Sequence, residues 1–259
     1  MRVALVQMDI RLGAPAENRA HAADLVRQAA AGADLVMLPE MWSTGYALPD
    51  LADNLADRDG EPTGRFLSAL AAECGVYLAG SVADQRGGKV YNSATVYGPG
   101  GARLAEYSKV HLVPMMEEER YLTAGERAVV ADLGGVKAGL AICYDLRFPE
   151  LHRSMALAGA ELLLIPAEWP VQRLHHWRTL LMARAIENQC YVLGCNRVGR
   201  DNANQFPGHS LVVDPWGEIL AEGGEGESIL YAEIDLGKVA EIRARVPVFR
   251  DRRPDCYRL

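Results

Sequence analysis

Short apolar runs alternate along this chain with longer segments whose apolar positions recur every three or four residues, the pattern of strands alternating with helices. Residues 3–8 read as a first buried strand. Residues 18–31 follow as an Ala-rich helix, with Ala22, Leu25, Val26 and Ala29 at helical spacing and Gly32 as its stop. A second strand over residues 35–38 ends at Pro39-Glu40, and a second helix over residues 65–73 is capped by Gly75. Strands over residues 76–82, 90–97 and 103–107 complete this half, the last two joined by the turn Gly98-Pro99-Gly100-Gly101.

The second half uses the same grammar: a strand over residues 136–142, a helix over 149–158, a strand over 162–165 ending at Pro166, and a long helix over 174–188 with Trp177, Leu181 and Ala185 on one face. A strand over 191–195, a hairpin over 211–221 turning at Pro215-Trp216-Gly217, a strand over 229–234 and a helix near 236–245 follow. Residues 32–42, G-A-D-L-V-M-L-P-E-M-W, echo residues 159–169, G-A-E-L-L-L-I-P-A-E-W, which points to a duplicated unit. Two sheets packed face to face with helices outside each would bury both sets of apolar strands. The expected fold is therefore an α/β protein of one domain, residues 1–259, built as a four-layer α-β-β-α sandwich with strand ends converging at one rim.

Composition narrows the partners. With 259 residues, 49% hydrophobic and 24% charged, the chain can bury a substantial core, and its net charge of -7 with no basic cluster argues against nucleic acid. The start, M-R-V-A-L-V-Q-M-D, is too short an apolar run for a membrane span and lacks the form of a signal peptide, so a cytoplasmic protein is expected. Five scattered cysteines without a C-x-x-C pair fit a reducing compartment, and no histidine stands at metal-ligand spacing, so neither metal nor cofactor is expected.

Three strand ends carry reactive side chains: Glu40 after V-M-L-P, Lys109 after E-Y-S and Cys143 after L-A-I. Each alone reads as a surface charge or a buried thiol; together they form an amide-cleaving set. A thiol needs a base, the oxyanion formed by its attack needs a cation and N–H donors, and the leaving amine needs a proton. Glu40 suits the base and acid. Lys109, placed between an acid and the nucleophile, suits the oxyanion, with the backbone N–H of Tyr144 as second donor.

The motifs around these residues resemble the carbon-nitrogen hydrolase (nitrilase) superfamily: L-P-E at Glu40, Y-S-K-V-H-L at Lys109 and I-C-Y-D-L-R-F-P-E at Cys143. The resemblance continues through residues 176–189, residues 208–217 and the tail at residues 246–249. It implies the same four-layer sandwich, commonly a homodimer, and a second glutamate that supports the lysine. Counted back from Y-L-T-A-G, that glutamate falls on Glu118, with Glu117 and Glu119 as neighbours one residue away.

Cys143-Tyr144-Asp145 is similar to the amidase branches, and C-Y-D-L-R-F-P-E with A-E-W-P to the ω-amidases, which implies hydrolysis of the distal amide of α-keto acid amides such as 2-oxoglutaramate. Such a substrate needs a cationic receptor for its far carboxylate. Arg147 is the first candidate and Arg173 the second; for Arg147 a salt bridge to Glu150 or Asp145 is an equal reading. Trp169, Tyr46 and Trp42 are candidate pocket walls, with core packing an equal reading for Trp42. The rivals are another amidase or N-carbamoyl specificity on the same residues, a non-catalytic binding protein, a thiol hydrolase using His111, and a nucleotide binder at Gly223, Gly224 and Gly226.

Overall fold

A computed structural model describes residues 1–257. In chain order its elements are β1 (Arg2–Gln7), α1 (Pro15–Ala30), β2 (Leu35–Met37), β3 (Asp57–Arg58), α2 (Thr63–Cys74), β4 (Tyr77–Arg86), β5 (Lys89–Tyr97) and β6 (Arg103–Ser108). Then come β7 (Val129–Asp132), β8 (Lys137–Leu140), α3 (Pro149–Leu157), β9 (Leu162–Ala167), α4 (Leu174–Asn188), β10 (Tyr191–Asn196), β11 (Val198–Arg200) and β12 (Gln205–Pro207). The chain ends in β13 (Leu211–Val213), β14 (Ile219–Glu222), β15 (Ser228–Glu233) and α5 (Gly237–Arg245).

Two sheets carry the fold, in the orders β15-β1-β2-β4-β5-β6 and β7-β8-β9-β10-β13-β14. The orders correspond strand for strand. In each, an antiparallel edge strand is followed by three parallel strands (β1-β2-β4 and β8-β9-β10) and then two antiparallel ones. The helices α1, α2 and α3, α4 make the matching crossovers between the parallel strands.

Alternation along the strands explains the layers. Val3 and Leu5 of β1 join one apolar cluster with Leu162 and Leu164 of β9, whereas Ala4 and Val6 join another with Ala22, Val26 and Ala29 of α1. Both faces of these strands are thus buried, and their unbroken apolar runs follow from that. Trp42 belongs to the helix-side cluster, 6.0 Å from Phe66, so it packs in the core. The strand expected to end at Pro166 continues through it: β9 pairs Pro166 with Cys195.

His152 on α3 is fully buried, its Nδ1 3.0 Å from the Phe148 carbonyl and its Nε2 without a partner among the described residues. Burial pushes its pKa down from 6.5 to about 4. Between those values the unfolded chain takes up a proton that the folded one refuses, so stability falls as pH falls through this window. The loss expected from this one group is about 2 kcal/mol at pH 5 relative to pH 7. Urea unfolding at the two pH values checks it: His152→Gln should lose that part of the pH dependence.

Candidate active site

The parallel strands of each sheet end at one rim, where ligands of open α/β sheets bind. Glu40 lies three residues past β2, Lys109 directly past β6, Cys143 three past β8, Glu168 directly past β9 and Arg197 directly past β10. Several of these ends are held in backbone shapes that side-chain-bearing residues rarely adopt. Met41 after Glu40, Glu117 before Glu118 and Cys143 itself have φ of 41°, 56° and 45°. Each costs about 1 kcal/mol or more, so surrounding bonds must hold it.

For Cys143 the holding group is Asp145, buried and saturated. Its Oδ2 accepts from the Ile142 N–H at 2.9 Å and the Tyr107 hydroxyl at 2.7 Å; its Oδ1 accepts from the His111 N–H at 3.0 Å and lies 2.8 Å from His111 Nδ1. Tyr107 and His111 lie two residues either side of Lys109, so one carboxylate ties the cysteine corner to the lysine strand. Its four contacts also explain why Arg147 makes no ion pair with it. His111, bonded to Asp145 and stacked on Phe148 at 3.6 Å, is thereby committed to structure and unavailable as the thiol's base.

The lysine's own position rests partly on Gly125, whose N–H donates to the Lys109 carbonyl at 2.8 Å. A Cβ there would stand 2.1 Å from the Ser108 carbonyl oxygen, which only glycine avoids.

Lys109 lies between two acids. Its Nζ donates to Glu40 Oε1 at 3.0 Å, Glu118 Oε1 at 2.7 Å and the Tyr46 hydroxyl at 3.2 Å, matching its three N–H groups with three acceptors. The sequence places it between an acid and the thiol; Glu118 is a second acid beside it. All three charged groups are fully buried. Burial works against the ammonium, but the charges of Glu118 and Glu40 outweigh it and hold the Lys109 pKa well above its ordinary value.

Among the three adjacent glutamates Glu118 alone is buried on the lysine; Glu117 faces solvent with Arg120, and Glu119 is exposed. Glu118 Oε2 accepts from the Val113 N–H at 2.8 Å. Tyr46, expected as a pocket wall, instead turns its hydroxyl to Glu40 Oε1 at 2.7 Å and Glu118 Oε1 at 2.5 Å. Glu40 is anchored further by Asn92 Nδ2 at 2.7 Å on Oε1 and by the Glu168 N–H at 2.8 Å on Oε2.

Burial, and then Glu40, push the Cys143 thiol well above its usual pKa, against the pull of Lys109. The resting residue is therefore a thiol that needs a base. Beside it lies a narrow cleft lined by Cys143, Tyr144, Arg147, Glu168, Trp169 and Arg173, with Val113, Met115, Met116 and Pro170. The Tyr144 N–H, at the start of the 3₁₀ turn Cys143–Arg147, meets no acceptor among the described residues. Arg147 lies 4.8 Å over the Trp169 ring and 5.7 Å over Tyr144, and its nitrogens reach His176 Nδ1 at 3.4 Å. Neither Arg147 nor Arg173 has a carboxylate partner among the described residues, so the expected alternative of a salt bridge from Arg147 to Glu150 or Asp145 is not what the structure holds. Burial, and then the charge of Arg173, act against the Arg147 cation.

The carbon-nitrogen hydrolase model matches residues 2–244. The chain belongs to the carbon-nitrogen hydrolase family. This carbon-nitrogen hydrolase is 47% identical over 256 residues to the 2-oxoglutaramate amidase of Bacillus subtilis (strain 168), covering 98% of both chains. It is 39% identical to the omega-amidase NIT2 of Homo sapiens over 99% of this chain and 96% of that one. Its fold superposes with a TM-score of 0.92, at 33% identity and over 98% and 97% of the two chains, on a CN-hydrolase superfamily protein of Xanthomonas campestris solved with an arsenic adduct in its active site.

Glu168 is the residue of this carbon-nitrogen hydrolase that the sequence reading passed over. The echo between the halves aligns Ala167 with Glu40 and Glu168 with Met41, so the first half gives Glu168 no charged counterpart. It is fully buried, and its Oε2 accepts from Arg197 at 2.9 Å.

Proposed function

We propose that this carbon-nitrogen hydrolase removes ammonia from the distal amide of an α-keto acid ω-amide such as 2-oxoglutaramate, through a thioester on Cys143. The observation that carries the substrate class is the pair Arg147 and Arg173, two cations without acidic partners among the described residues, in the pocket that holds the thiol. Two like charges left facing one pocket are stabilised by an anion between or beside them, and the far carboxylate of a keto amide supplies it. The relatives named for 2-oxoglutaramate and ω-amides support the same reading.

In this mechanism Glu40 takes the thiol proton and Cys143 attacks the amide carbon. The oxyanion receives the free Tyr144 N–H and a Lys109 N–H. Because all three lysine N–H groups are engaged at rest, one acceptor must yield, and the Tyr46 hydroxyl has the longest contact at 3.2 Å. Glu40 then passes its proton to the leaving nitrogen, ammonia departs and the thioester remains. Water deprotonated by Glu40 releases the dicarboxylate. The side chains account for each proton, so no metal or organic cofactor enters the scheme.

Ammonia release from 2-oxoglutaramate, 2-oxosuccinamate, neutral primary amides and N-carbamoyl amino acids tests the reading. Turnover of at least one keto amide in preference to the rest is expected; no turnover of either would sink it. Arg147→Ala and Arg173→Ala should raise KM for the keto amide by about tenfold to a hundredfold, the cost of a lost charge-assisted bond, with kcat changed far less. We further infer a homodimer in the cytoplasm: Leu157 on α3 and Ile186 on α4 expose apolar side chains, and the five cysteines are all unpaired.

A further inference from the structure

Glu168 lines the pocket beside Cys143 yet leaves one carboxylate oxygen unused. Oε2 is taken by Arg197; Oε1 is buried and has no hydrogen-bond partner among the described residues. Arg197 is itself immobilised and cannot swing to cover Oε1. It is fully buried, donates to the Ile10 carbonyl at 2.7 Å, the Val198 carbonyl at 3.1 Å and Asp9 Oδ1 at 3.2 Å, and lies 4.4 Å over the Phe206 ring. A buried carboxylate oxygen left bare costs stability, and a ligand N–H that reached it would offset that cost.

The main chain says which ligand atom. The Glu168 N–H holds Glu40 Oε2 at 2.8 Å, so Glu168 stands next to the acid that must reach the leaving nitrogen, while Arg147 and Arg173 are the pocket's groups for the distant carboxylate. A primary carboxamide brings two N–H groups to that nitrogen. We propose that Glu168 is a specificity-determining residue whose free Oε1 accepts a hydrogen bond from an N–H of the scissile primary amide. The contact strengthens as the nitrogen gains positive character on protonation, so it favours the transition state over the bound substrate. An ester of the same acid has no N–H to offer and forfeits it.

A second consequence concerns pH. The charged groups around Glu168 are Arg197, Glu40, Asp201 and, through Arg197, Asp9; the pocket adds Cys143, Tyr144, Arg147 and Arg173. Burial, opposed by Arg197 and then aided by Glu40, pushes the Glu168 carboxyl up to about 8. The accepting, ionised form therefore gains population as pH rises through that value.

The inference rests on the ω-amidase reading and is tested by a ratio. The measurement is kcat/KM for 2-oxoglutaramate divided by kcat/KM for the 5-methyl ester of 2-oxoglutarate, from pH 6.5 to 9. Titration of Cys143 and Glu40 is common to both substrates and cancels. In the wild type the ratio should rise through about pH 8; in Glu168→Ala it should fall by about tenfold to a hundredfold. Glu168→Gln, which keeps the shape if the alanine variant fails to fold, should flatten the ratio against pH. A ratio unchanged in both variants, whether the two rates fall together or neither falls, overturns the proposal. A wild type that turns over neither keto amide overturns the functional reading instead, and the ratio is then read on whichever primary amide it does cleave.

Discussion

Cys143→Ala should release ammonia from 2-oxoglutaramate at least about 10,000-fold more slowly than the wild type, the scale of loss when a covalent nucleophile is removed. The side chain itself is small, and alanine removes only a sulfur from a site that Asp145 shapes independently. Ile142, Tyr107 and His111 all bind that carboxylate and none binds the thiol. The variant should therefore melt within a few degrees of the wild type, and a steady-state ammonia assay beside a thermal melt separates lost chemistry from lost fold. The other two buried cysteines cannot substitute. Burial pushes Cys190 up to about 12 and raises Cys195 further, and Cys195 is directed at the Val6 and Met37 carbonyls between the sheets.

Lys109→Met should fail in two ways at once. It removes the proposed oxyanion donor, a loss expected by itself to lower kcat about a hundredfold to a thousandfold. It also leaves Glu40 and Glu118 buried and facing one another with the cation gone. Breaking a buried charge cluster in this way costs about 3 to 5 kcal/mol, so the variant should also lose stability at neutral pH. The double variant Lys109→Met with Glu118→Gln removes one of the stranded charges and should recover part of the stability while recovering no activity. Urea unfolding and the ammonia assay on both variants check the pair.

Much of this site was legible because its chemistry stands at the ends of strands. Glu40, Lys109 and Cys143 each close a strand, and the duplicated grammar implied that those ends share a rim. What the sequence could not carry was side-chain direction. Tyr46 follows a turn in which Thr44 and Gly45 both donate to the Met41 carbonyl, and that turn folds its hydroxyl back under Glu40. The choice of Glu118 over its neighbours depends on the left-handed backbone of Glu117, which no local propensity announces. Arg147 makes no ion pair with Asp145 because that carboxylate has already filled its acceptor positions with Tyr107 and His111, 38 and 34 residues distant in sequence. Short strands such as β3, β7, β11 and β12 escaped notice for a simpler reason: two to four residues give too few alternations to reveal a period.

Glu168 is instructive in the same way. Its neighbourhood was visible as the echo of the first half, but its importance comes from one oxygen spoken for by Arg197 and one left bare. That is a property of packing.

The thioester proposed on Cys143 can be tested for directly. Acid-quenched wild-type enzyme mixed with 2-oxoglutaramate, digested and weighed by mass spectrometry, should carry the acyl group, substrate minus ammonia, on the peptide containing Cys143, and Cys143→Ala should carry none. An acyl group found on another residue, or full-rate ammonia release by Cys143→Ala with no adduct at any quench time, would contradict it.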